Sequence, residues 1–535
     1  MPSGTERTTM PAEHRRVIVA SSLGAMFEWY DFYLFGVLAP LFARQFFAGP
    51  SERTALVATL LAFAAGFVVR PFGALLFGRL GDMIGRKYTF LVTLVLMGGA
   101  TFAIGLLPGY DTIGLAAPVL LVLLRLLQGL AIGGEYGGVA TYVAEHAPPQ
   151  RRGFYTGWIQ TTASLGLLLA LLASVGLRSW LGEEAFADWG WRLPFLASLV
   201  LLGVGIWIRI SLKESPLFLQ LKRSGGASRR PLAEAFGRWH NLRLVLIALF
   251  GLVAGQAVVW YTGHFQALFF LTVHLQVPDS TAALLLGAAL LLASPLFVMF
   301  GAWSDRIGRK PLILAGCVLA AASWMPLFNA LASAANPALV QAQQRVQVHL
   351  AAERDDCSWH WTAIHAPPAR GCEMAQRLLS ERGVRYALLD ATGAATITID
   401  GERITIGGVD EALARVHVER ALDAAGYPRR ADPARIQHAR VIGILFMLVV
   451  FVAMVYGPIA AMLVEMFPTR VRCSSVSLPY HLGNGWFGGL LPSAVLAISA
   501  SSGQFTAGLW LPVAVALASA VVGLLWLRET KDTAL

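Results

Sequence analysis

The chain has 535 residues, of which 56% are hydrophobic and only 14% are charged, and its mean hydropathy is +0.61. A typical soluble domain is about 25% charged, so the composition excludes an ordinary water-soluble protein and predicts an integral membrane protein. The 15 Trp and 53 Gly residues suit interfacial anchoring and close helix packing in a bilayer.

Charged residues are unevenly distributed along the chain. Residues 336–440 contain 13 Lys and Arg and 13 Asp and Glu, so about 25% of this segment is charged, whereas about 11% of the remaining 430 residues are. The first value is typical of a soluble domain. The pattern therefore predicts one soluble-type module, of zero formal charge, inserted in a membrane chain.

Twelve segments are apolar and long enough to be membrane-spanning helices, which need roughly 20 mostly apolar residues to cross about 30 Å of hydrocarbon. They are residues 17–42, 55–78, 88–107, 115–141, 154–178, 191–211, 243–273, 281–303, 311–334, 440–463, 474–500 and 505–527. The first span is not predicted to be a cleavable signal peptide. Its apolar run meets Glu28 and Asp31, and no small-residue cleavage site follows.

The basic residues of the short loops predict the orientation, because cytoplasmic loops retain Lys and Arg. With both termini in the cytoplasm, the cytoplasmic segments hold 23 of the 42 Lys and Arg, and the short external loops hold 4. We discount the 13 in the long insert, because long loops translocate largely regardless of charge. The insert follows span 9, which predicts that it is extracytoplasmic. The net charge of +10 then indicates contact with acidic lipid and no nucleic acid.

One ten-residue pattern occurs twice, after span 2 and after span 8. Both copies read G-x-x-x-D-x-x-G-R-K, at residues 78–87 and 301–310. Glycine permits tight turns and close helix approach, and aspartate caps helix N-termini. A second echo, a Glu followed by basic residues, comes after spans 4 and 10. Together the echoes predict two six-helix halves, the usual plan of proteins with a site at the interface of internal repeats.

Both loops resemble the signature of the major facilitator superfamily, a twelve-helix transporter fold that alternates between inward-open and outward-open states. Five further motifs resemble the metabolite:proton symporters, which move organic acids such as citrate, oxoglutarate and shikimate, or zwitterions such as proline and betaine. They are Glu28-Trp-Tyr-Asp31-Phe, Arg70-Pro71-Phe-Gly73, Arg125-Leu-Leu-Gln128-Gly129 with Gly133-Gly-Glu135-Tyr-Gly-Gly138, Lys213-Glu214-Ser215-Pro216 and Glu465-Met-Phe-Pro468-Thr-Arg470. The resemblance covers about 430 residues.

The resemblance implies an all-α membrane protein with twelve transmembrane helices in two pseudo-symmetric halves. We predict an N-terminal half at 1–211, a cytoplasmic linker at 212–242, and a C-terminal half divided into 243–335 and 440–535. Between helices 9 and 10, residues 336–439 form the small extracytoplasmic α+β insert.

The resemblance also assigns a gating role to the repeated loops and to the charged residues beside them. The alternative is that the loops are simply two basic turns. The predicted gate residues are Gly78, Asp82, Gly85, Arg86, Lys87, Glu145, Arg151, Asp305, Gly308, Arg309, Lys310, Glu465 and Arg470.

Charged side chains inside the spans indicate function, because a charge at bilayer depth costs about 2.5–3.5 kcal/mol on insertion scales. At about 1.5 Å of rise per residue, Asp31 lies at the depth of Arg125, and Glu28 near that of Arg70, which predicts two ion pairs. With Glu135, three carboxylates oppose two guanidiniums, and this imbalance predicts proton coupling at Asp31, Glu28 and Glu135, with Asp31 as the main carrier. Alternatively, the pairs only join helices, and Glu135 either relays protons or binds a gate loop.

Polar and aromatic residues in both halves form the predicted substrate site. Arg125 is assigned to a substrate carboxylate, and Arg70 either to the substrate or to a gate. Aromatic residues at helical spacing also serve packing or the lipid interface, and that alternative stays open. The full predicted set is Arg125, Arg70, Gln128, Tyr136, Gln256, Trp260, His264, Tyr480 and Asn484.

The insert shows the pattern of two helices, at 373–382 and 409–424, and three short strands, at 384–389, 395–400 and 403–406. A module of this size needs a staple. Cys357 and Cys372 are its only cysteines, and an external compartment is oxidising, which predicts a disulfide. The alternative is a zinc site that adds His360 and His365, a spacing that matches no strong template.

The sequence thus predicts a secondary active transporter of a bacterial-type inner membrane, with proton-coupled uptake of a small organic acid or zwitterion. It predicts no enzyme activity, no cofactor, no metal site, and function as a monomer in the bilayer. The sequence contains no Walker A pattern, and the G-x-G-x-x-G at residues 483–488 lies inside predicted span 11 and not between a strand and a helix. An ion gradient is therefore the expected energy source. The alternatives are a proton-antiporting exporter of amphiphiles and a transporter-like membrane sensor.

Overall fold

A computed structural model describes residues 12–47, 62, 65–210, 214–224, 226, 228, 230–353, 357 and 371–535. Within this part of the chain, nine helices are long and apolar enough to cross a membrane. The predicted span 55–78 begins outside the described residues. Lys213, His360, His365 and the side chain of Arg86 also lie outside them.

The N-terminal half contains six long helices. They are α1 (Ala12–Val37), α2 (Arg70–Met83), α3 (Arg86–Leu106), α4 (Ala116–His146), α5 (Arg152–Leu181) and α6 (Arg192–Ile210). The short helices Pro216–Arg223 and Pro231–Phe236 follow in the predicted linker.

The C-terminal half continues with α7 (Trp239–His274), α8 (Asp279–Ile307) and α9 (Arg309–Ala335). The insert contains α10 (Gly371–Glu381) and α11 (Glu411–Ala424). The last helices of the C-terminal half follow it: α12 (His438–Met466), α13 (Arg472–Leu482), α14 (Leu491–Ser502) and α15 (Trp510–Trp526). Helices α13 and α14 together cover the predicted span 11, which a π-helical turn at Gly483–Gly488 divides.

The two repeated loops make the same turn. Gly85 has φ 132° between α2 and α3, and Gly308 has φ 107° between α8 and α9. Side chains rarely adopt these backbone angles, so the glycine of each G-R-K sequence is required by the geometry. The equal turns follow from the sequence repeat, and they bring equivalent residues to equivalent places in both halves.

Helix α7 departs repeatedly from regular α geometry. It has π-helical segments at Leu249–Val253, Thr262–Gln266 and Phe270–His274. Such widened turns are frequent at functional sites. They set the directions of the polar side chains that α7 contributes to the interface between the halves.

The described residues between α9 and α12 form a four-stranded sheet with α10, α11 and a short helix at Pro337–Arg345. The strands are β1 (Val348–Ala352), β2 (Ala387–Asp390), β3 (Thr396–Ile399) and β4 (Glu402–Thr405), in the order β2-β1-β3-β4. Strands β1 and β2 are parallel, and the other pairs are antiparallel. The sequence analysis did not predict β1, which is only five residues long. Cys357 and Cys372 are disulfide-bonded.

The insert is attached to the end of the C-terminal half that lies opposite the repeated loops. The Tyr386 amide donates to the Gly503 carbonyl at 3.2 Å, and the Ala431 amide donates to the Gln276 carbonyl at 3.0 Å. The Gln276 side chain in turn donates to the Glu381 carbonyl at 2.8 Å. These three hydrogen bonds hold the insert against the ends of α7 and α14.

Candidate functional site

Three buried charged residues from α1, α4 and α6 meet in the N-terminal half. One terminal nitrogen of Arg209 lies 2.7 Å from Glu28 and 2.8 Å from Glu135, and the other donates to the Phe90 carbonyl at 2.8 Å. The predicted Glu28–Arg70 pair is therefore wrong, because Arg209 occupies the acid. Arg209 was not predicted as a site residue, although its position near the end of span 6 makes it available to a membrane carboxylate.

Asp31 lies one helical turn beyond Glu28 on α1, beside the hydroxyl of Thr101. The Gln128 amide donates to the same hydroxyl at 2.8 Å, and Arg125 donates to the Gln128 carbonyl oxygen at 2.7 Å. Asp31 is thus connected to Arg125 through two polar side chains and not by the direct ion pair that was predicted. The Asp31 carboxylate is therefore separated from the Arg125 guanidinium, but a continuous series of polar side chains joins them.

Arg70 is fully buried in a cage of aromatic rings. Its guanidinium carbon lies 4.3 Å from the ring centre of Phe32, 4.5 Å from that of Phe67 and 5.6 Å from that of Trp29. Tyr261 of the C-terminal half is beside it, yet none of its three nitrogen atoms makes a hydrogen bond of acceptable geometry with a described residue. A buried guanidinium with five donors and mostly ring faces around it is chemically suited to bind an anion.

Aromatic side chains join the two halves beside this cage. Tyr136 of α4 stacks on Tyr480 of α13 with ring centres 3.3 Å apart, and the Tyr480 and Tyr456 hydroxyls are 2.6 Å apart. Gln160 of α5 donates to the Tyr136 hydroxyl and to the Tyr456 carbonyl, both at 2.9 Å. Tyr456 and Gln160 were not predicted, because neither belongs to a recognised motif.

The residues predicted on α7 also face the other half. The Trp260 ring stacks on His264 at 4.2 Å and on Tyr33 of α1 at 5.6 Å. His264 is 2.9 Å from the Trp260 carbonyl through Nδ1 and 3.0 Å from the Ser164 hydroxyl through Nε2. Because the carbonyl only accepts, Nδ1 carries the proton, and Nε2 of the neutral ring accepts from Ser164.

The side chains of Gln256 and Asn484, the last two predicted substrate residues, are hydrogen-bonded to each other. Their side-chain amides exchange hydrogen bonds of 3.3 and 3.1 Å between α7 and the π-helical turn after α13. Both therefore lie inside the C-terminal half, next to the aromatic interface. All nine predicted substrate residues are buried, and most of them lie on helices that face one another across the two halves.

The aspartates of the repeated loops each bind the start of a helix in the opposite half. Asp82 accepts hydrogen bonds from the amides of Cys473 and Ser474 at 3.1 and 2.9 Å, and from the Ser474 hydroxyl at 2.8 Å. Asp305 accepts from the amides of Gly153 and Phe154, both at 2.8 Å. A carboxylate on the free amides of a helix N-terminus is a charge-assisted contact that the helix dipole reinforces.

The glutamates of the second echo form buried ion pairs near these aspartates. Glu145 lies 2.9 Å from Arg472, whereas Glu465 lies 3.5 Å from Arg152 and 3.1 Å from Arg309. The echo was thus recognised, but two predicted arginines are wrong. Glu465 pairs with Arg152 and not with the neighbouring Arg151. Arg470, two residues before Arg472, forms an exposed ion pair with Glu234 at 2.8 Å.

A third echo, missed by the sequence analysis, completes the symmetry. Glu214 follows α6 and accepts from the Lys87 amide at 3.2 Å. Glu529 follows α15 and accepts from the Arg309 and Lys310 amides at 2.9 and 3.0 Å. Burial alone would raise the pKa of Glu529, but its backbone hydrogen bonds outweigh burial and hold that pKa below the ordinary value. The recurring basic-Glu-hydroxyl triplets at 213–215 and 528–530 are the signal that identifies it.

Replacing Asp82 by Asn is expected to loosen the contact between the halves at the repeated loops. Asn keeps one acceptor but turns an amide toward a backbone donor, a loss of about 1–3 kcal/mol, or roughly 5- to 150-fold in the opening equilibrium. Cys473, which is buried beside Asp82, reports the opening through its labelling rate with a maleimide in a Cys317→Ala background. The exposed Asp111→Asn is the matched control, and equal labelling of both variants would contradict the gating role.

Comparison with known structures defines the class of protein. The proton:xylose symporter XylE from Escherichia coli, a member of the major facilitator superfamily, matches this chain with a TM-score of 0.61 over 98% of both chains, at 15% sequence identity. The mostly helical chain therefore has the fold of major facilitator superfamily transporters.

Sequence comparison identifies the family. The model of the sugar (and other) transporter family matches residues 17–241. The alpha-ketoglutarate permease of Escherichia coli strain K12 is 37% identical over 336 residues, which are 62% of this chain and 76% of the permease. The chain belongs to this family of membrane transporters, and it is not an enzyme.

A second relative differs in the solute that its name gives. The proline/betaine transporter of Escherichia coli strain K12 is 35% identical over 328 residues, which are 59% of this chain and 64% of that transporter. The match thus spans less than two thirds of that relative's length. Both relatives are named for small metabolites, in agreement with the motifs that identified the family.

Proposed function

We propose that the protein takes up a small carboxylate-bearing solute together with a proton, by alternating access of one site between its two halves. The observation that carries this proposal is Arg70, a fully buried guanidinium among aromatic rings, whose neighbour Tyr261 offers it no hydrogen bond of good geometry. Leaving such a group unsatisfied is costly, and an arriving carboxylate removes that cost with a bidentate contact.

The names of the relatives support this solute class. Proline, betaine and alpha-ketoglutarate all carry a carboxylate. Arg70 and Arg125 supply the complementary charge, and the rings of Trp29, Tyr33 and Trp260 supply apolar and cation-binding faces around it. Gln128, Tyr136 and Tyr480 add polar groups that orient the solute.

Proton coupling is the second part of the proposal. Glu28 and Glu135 share one nitrogen of Arg209, so this cluster carries one negative charge more than it can neutralise. Asp31 lies a turn beyond it. When two carboxylates share one guanidinium, the binding of a proton by one of them is favoured. Asp31 connects this cluster to the hydrogen-bonded polar side chains that reach Arg125.

The proposal includes the topology of the chain. Twelve helices span the inner membrane, both termini face the cytoplasm, and the insert lies outside. The contacts of Asp82 and Asp305 across the halves then close the cytoplasmic side. The conformation described is accordingly one in which the solute pathway does not open to the cytoplasm.

Uptake into proteoliposomes under an imposed pH gradient tests the proposal. The panel consists of di- and tricarboxylates, shikimate, proline and betaine, and the control is the same vesicles with a proton ionophore. We expect accumulation of at least one member that the ionophore abolishes. Absence of accumulation for every member would refute the proposed symport.

A further inference from the structure

A cleft of about 700 Å³ opens where the insert meets the two halves, at the end opposite the repeated loops. Its walls come from the end of α5, the turn between α7 and α8, and the insert. This volume is in the range of small-molecule sites. Its charged residues are Arg178 in the last turn of α5, Glu183 just after that helix, Asp279 at the start of α8, and Arg430 of the insert.

The four charges are not equivalent. Arg178 and Glu183 form an ion pair with each other, and the Arg178 guanidinium also lies 4.7 Å from the Phe186 ring centre. Arg430 is exposed and makes no ion pair with any residue in the described part of the chain, although it acts electrostatically on Asp279. The cleft therefore has a cation without an ion-pair partner on the wall that the insert supplies, and on the wall that α8 supplies the Asp279 carboxylate, on which Arg178 also acts.

The position of Arg430 is fixed by the way the insert is attached. Ala431, its neighbour, donates its amide to the Gln276 carbonyl at 3.0 Å. Gln276 lines the same cleft, and its side chain binds the Glu381 carbonyl at 2.8 Å. The insert thus presents Arg430 to the cleft from a segment bonded directly to the end of α7.

We propose that this cleft is an outer docking site for a zwitterionic solute, whose carboxylate contacts Arg430 and whose cationic group contacts Asp279. A dicarboxylate is disfavoured there, because Asp279 repels its second charge. The inference rests on the proposed function in treating the solute as cargo of the central site. It also gives the insert a role, which is to supply the cation of the outer site.

Uptake kinetics test the docking site. With proline and betaine as probes, Arg430→Ala is expected to raise KM about threefold at low ionic strength, with a smaller effect on Vmax, because contacts between exposed charges are weak. The difference should shrink at high salt. Arg435→Ala, which removes an exposed charge five residues further on, is the matched control. A KM for Arg430→Ala equal to that of the control would overturn the proposal.

A binding measurement separates this proposal from the proposed function. A fluorophore on Ser280→Cys, at the exposed rim of the cleft, is used in an Arg70→Ala background where the central site is disabled. Millimolar betaine is expected to change its emission, Arg430→Ala to remove that change, and Arg435→Ala to retain it. No emission change would refute the docking site even if uptake is measured, whereas an emission change without wild-type uptake would refute the symport alone.

Discussion

Replacing Arg70 by methionine is expected to reduce solute uptake by a factor on the order of 10² to 10³. Losing one partner of a buried, hydrogen-bonded charge pair costs about 2–5 kcal/mol, and the middle of that interval, about 3–4 kcal/mol, corresponds to these factors. Arg70→Lys keeps the charge but loses the planar fork that binds a carboxylate with two hydrogen bonds. It is therefore expected to recover only a small part of the activity.

The same variant distinguishes a binding role from a structural one. Since Arg70 makes no hydrogen bond of good geometry with a described residue, even with its neighbour Tyr261, Arg70→Met removes a desolvated charge and should leave the melting temperature in detergent unchanged or higher. Arg385→Met is the matched control, because that arginine also packs on a ring, Phe505 at 5.9 Å, but belongs to the insert. Full uptake by Arg70→Met would show that the solute binds elsewhere.

Replacing Asp31 by asparagine is expected to abolish concentrative uptake while retaining exchange. Asn has nearly the same shape but cannot carry a proton, so an imposed pH gradient should no longer drive accumulation. We expect a loss of at least about tenfold in accumulation, since each 1.4 kcal/mol of lost driving free energy is a factor of ten. Counterflow of labelled solute, which requires no proton gradient, should persist.

Two further variants assign the proton to one carboxylate. Glu28→Gln and Glu135→Gln each leave Arg209 with a single acid, so they reveal whether the shared cluster is needed for coupling. Thr101→Val serves as a control that alters the surroundings of Asp31 without removing a titratable group. Unchanged accumulation by Asp31→Asn would exclude Asp31 from the coupling mechanism.

The repeat was predictable from the sequence because it consists of particular residues close together in the chain. Turns such as those at Gly85 and Gly308 need particular residues at fixed spacing, so the same ten-residue pattern identifies both. Cross-half partners were harder to assign. Arg152 and Arg472 take the places expected of Arg151 and Arg470, because a shift of one or two residues at a helix start changes the direction of a side chain completely.

The ion pairs inside the membrane show where depth arguments fail. Counting residues along each span predicts that Glu28 lies near the depth of Arg70, but it does not determine the face on which each side chain lies. In the structure Glu28 faces α6 and meets Arg209, whereas Arg70 faces the aromatic rings. Helix rotation and crossing decide such partners, and one sequence contains no direct record of either.

The insert illustrates a different limit. Helix α11 was predictable because its start at Asp410 is a side-chain cap and its apolar residues recur at helical spacing. Strand β1 was not, since five residues give little periodic signal. Its place in the sheet depends on pairing with β2 and β3, which are 35 residues or more away in the sequence.

The central claim is that solute and proton move in the same direction through one site. The direct measurement is the internal pH of proteoliposomes, loaded with a pH-sensitive dye and without an initial pH gradient, after a transported solute is added outside. Symport predicts internal acidification that depends on the solute and is lost with Asp31→Asn. Internal alkalinisation, or solute entry with no pH change, would contradict the account.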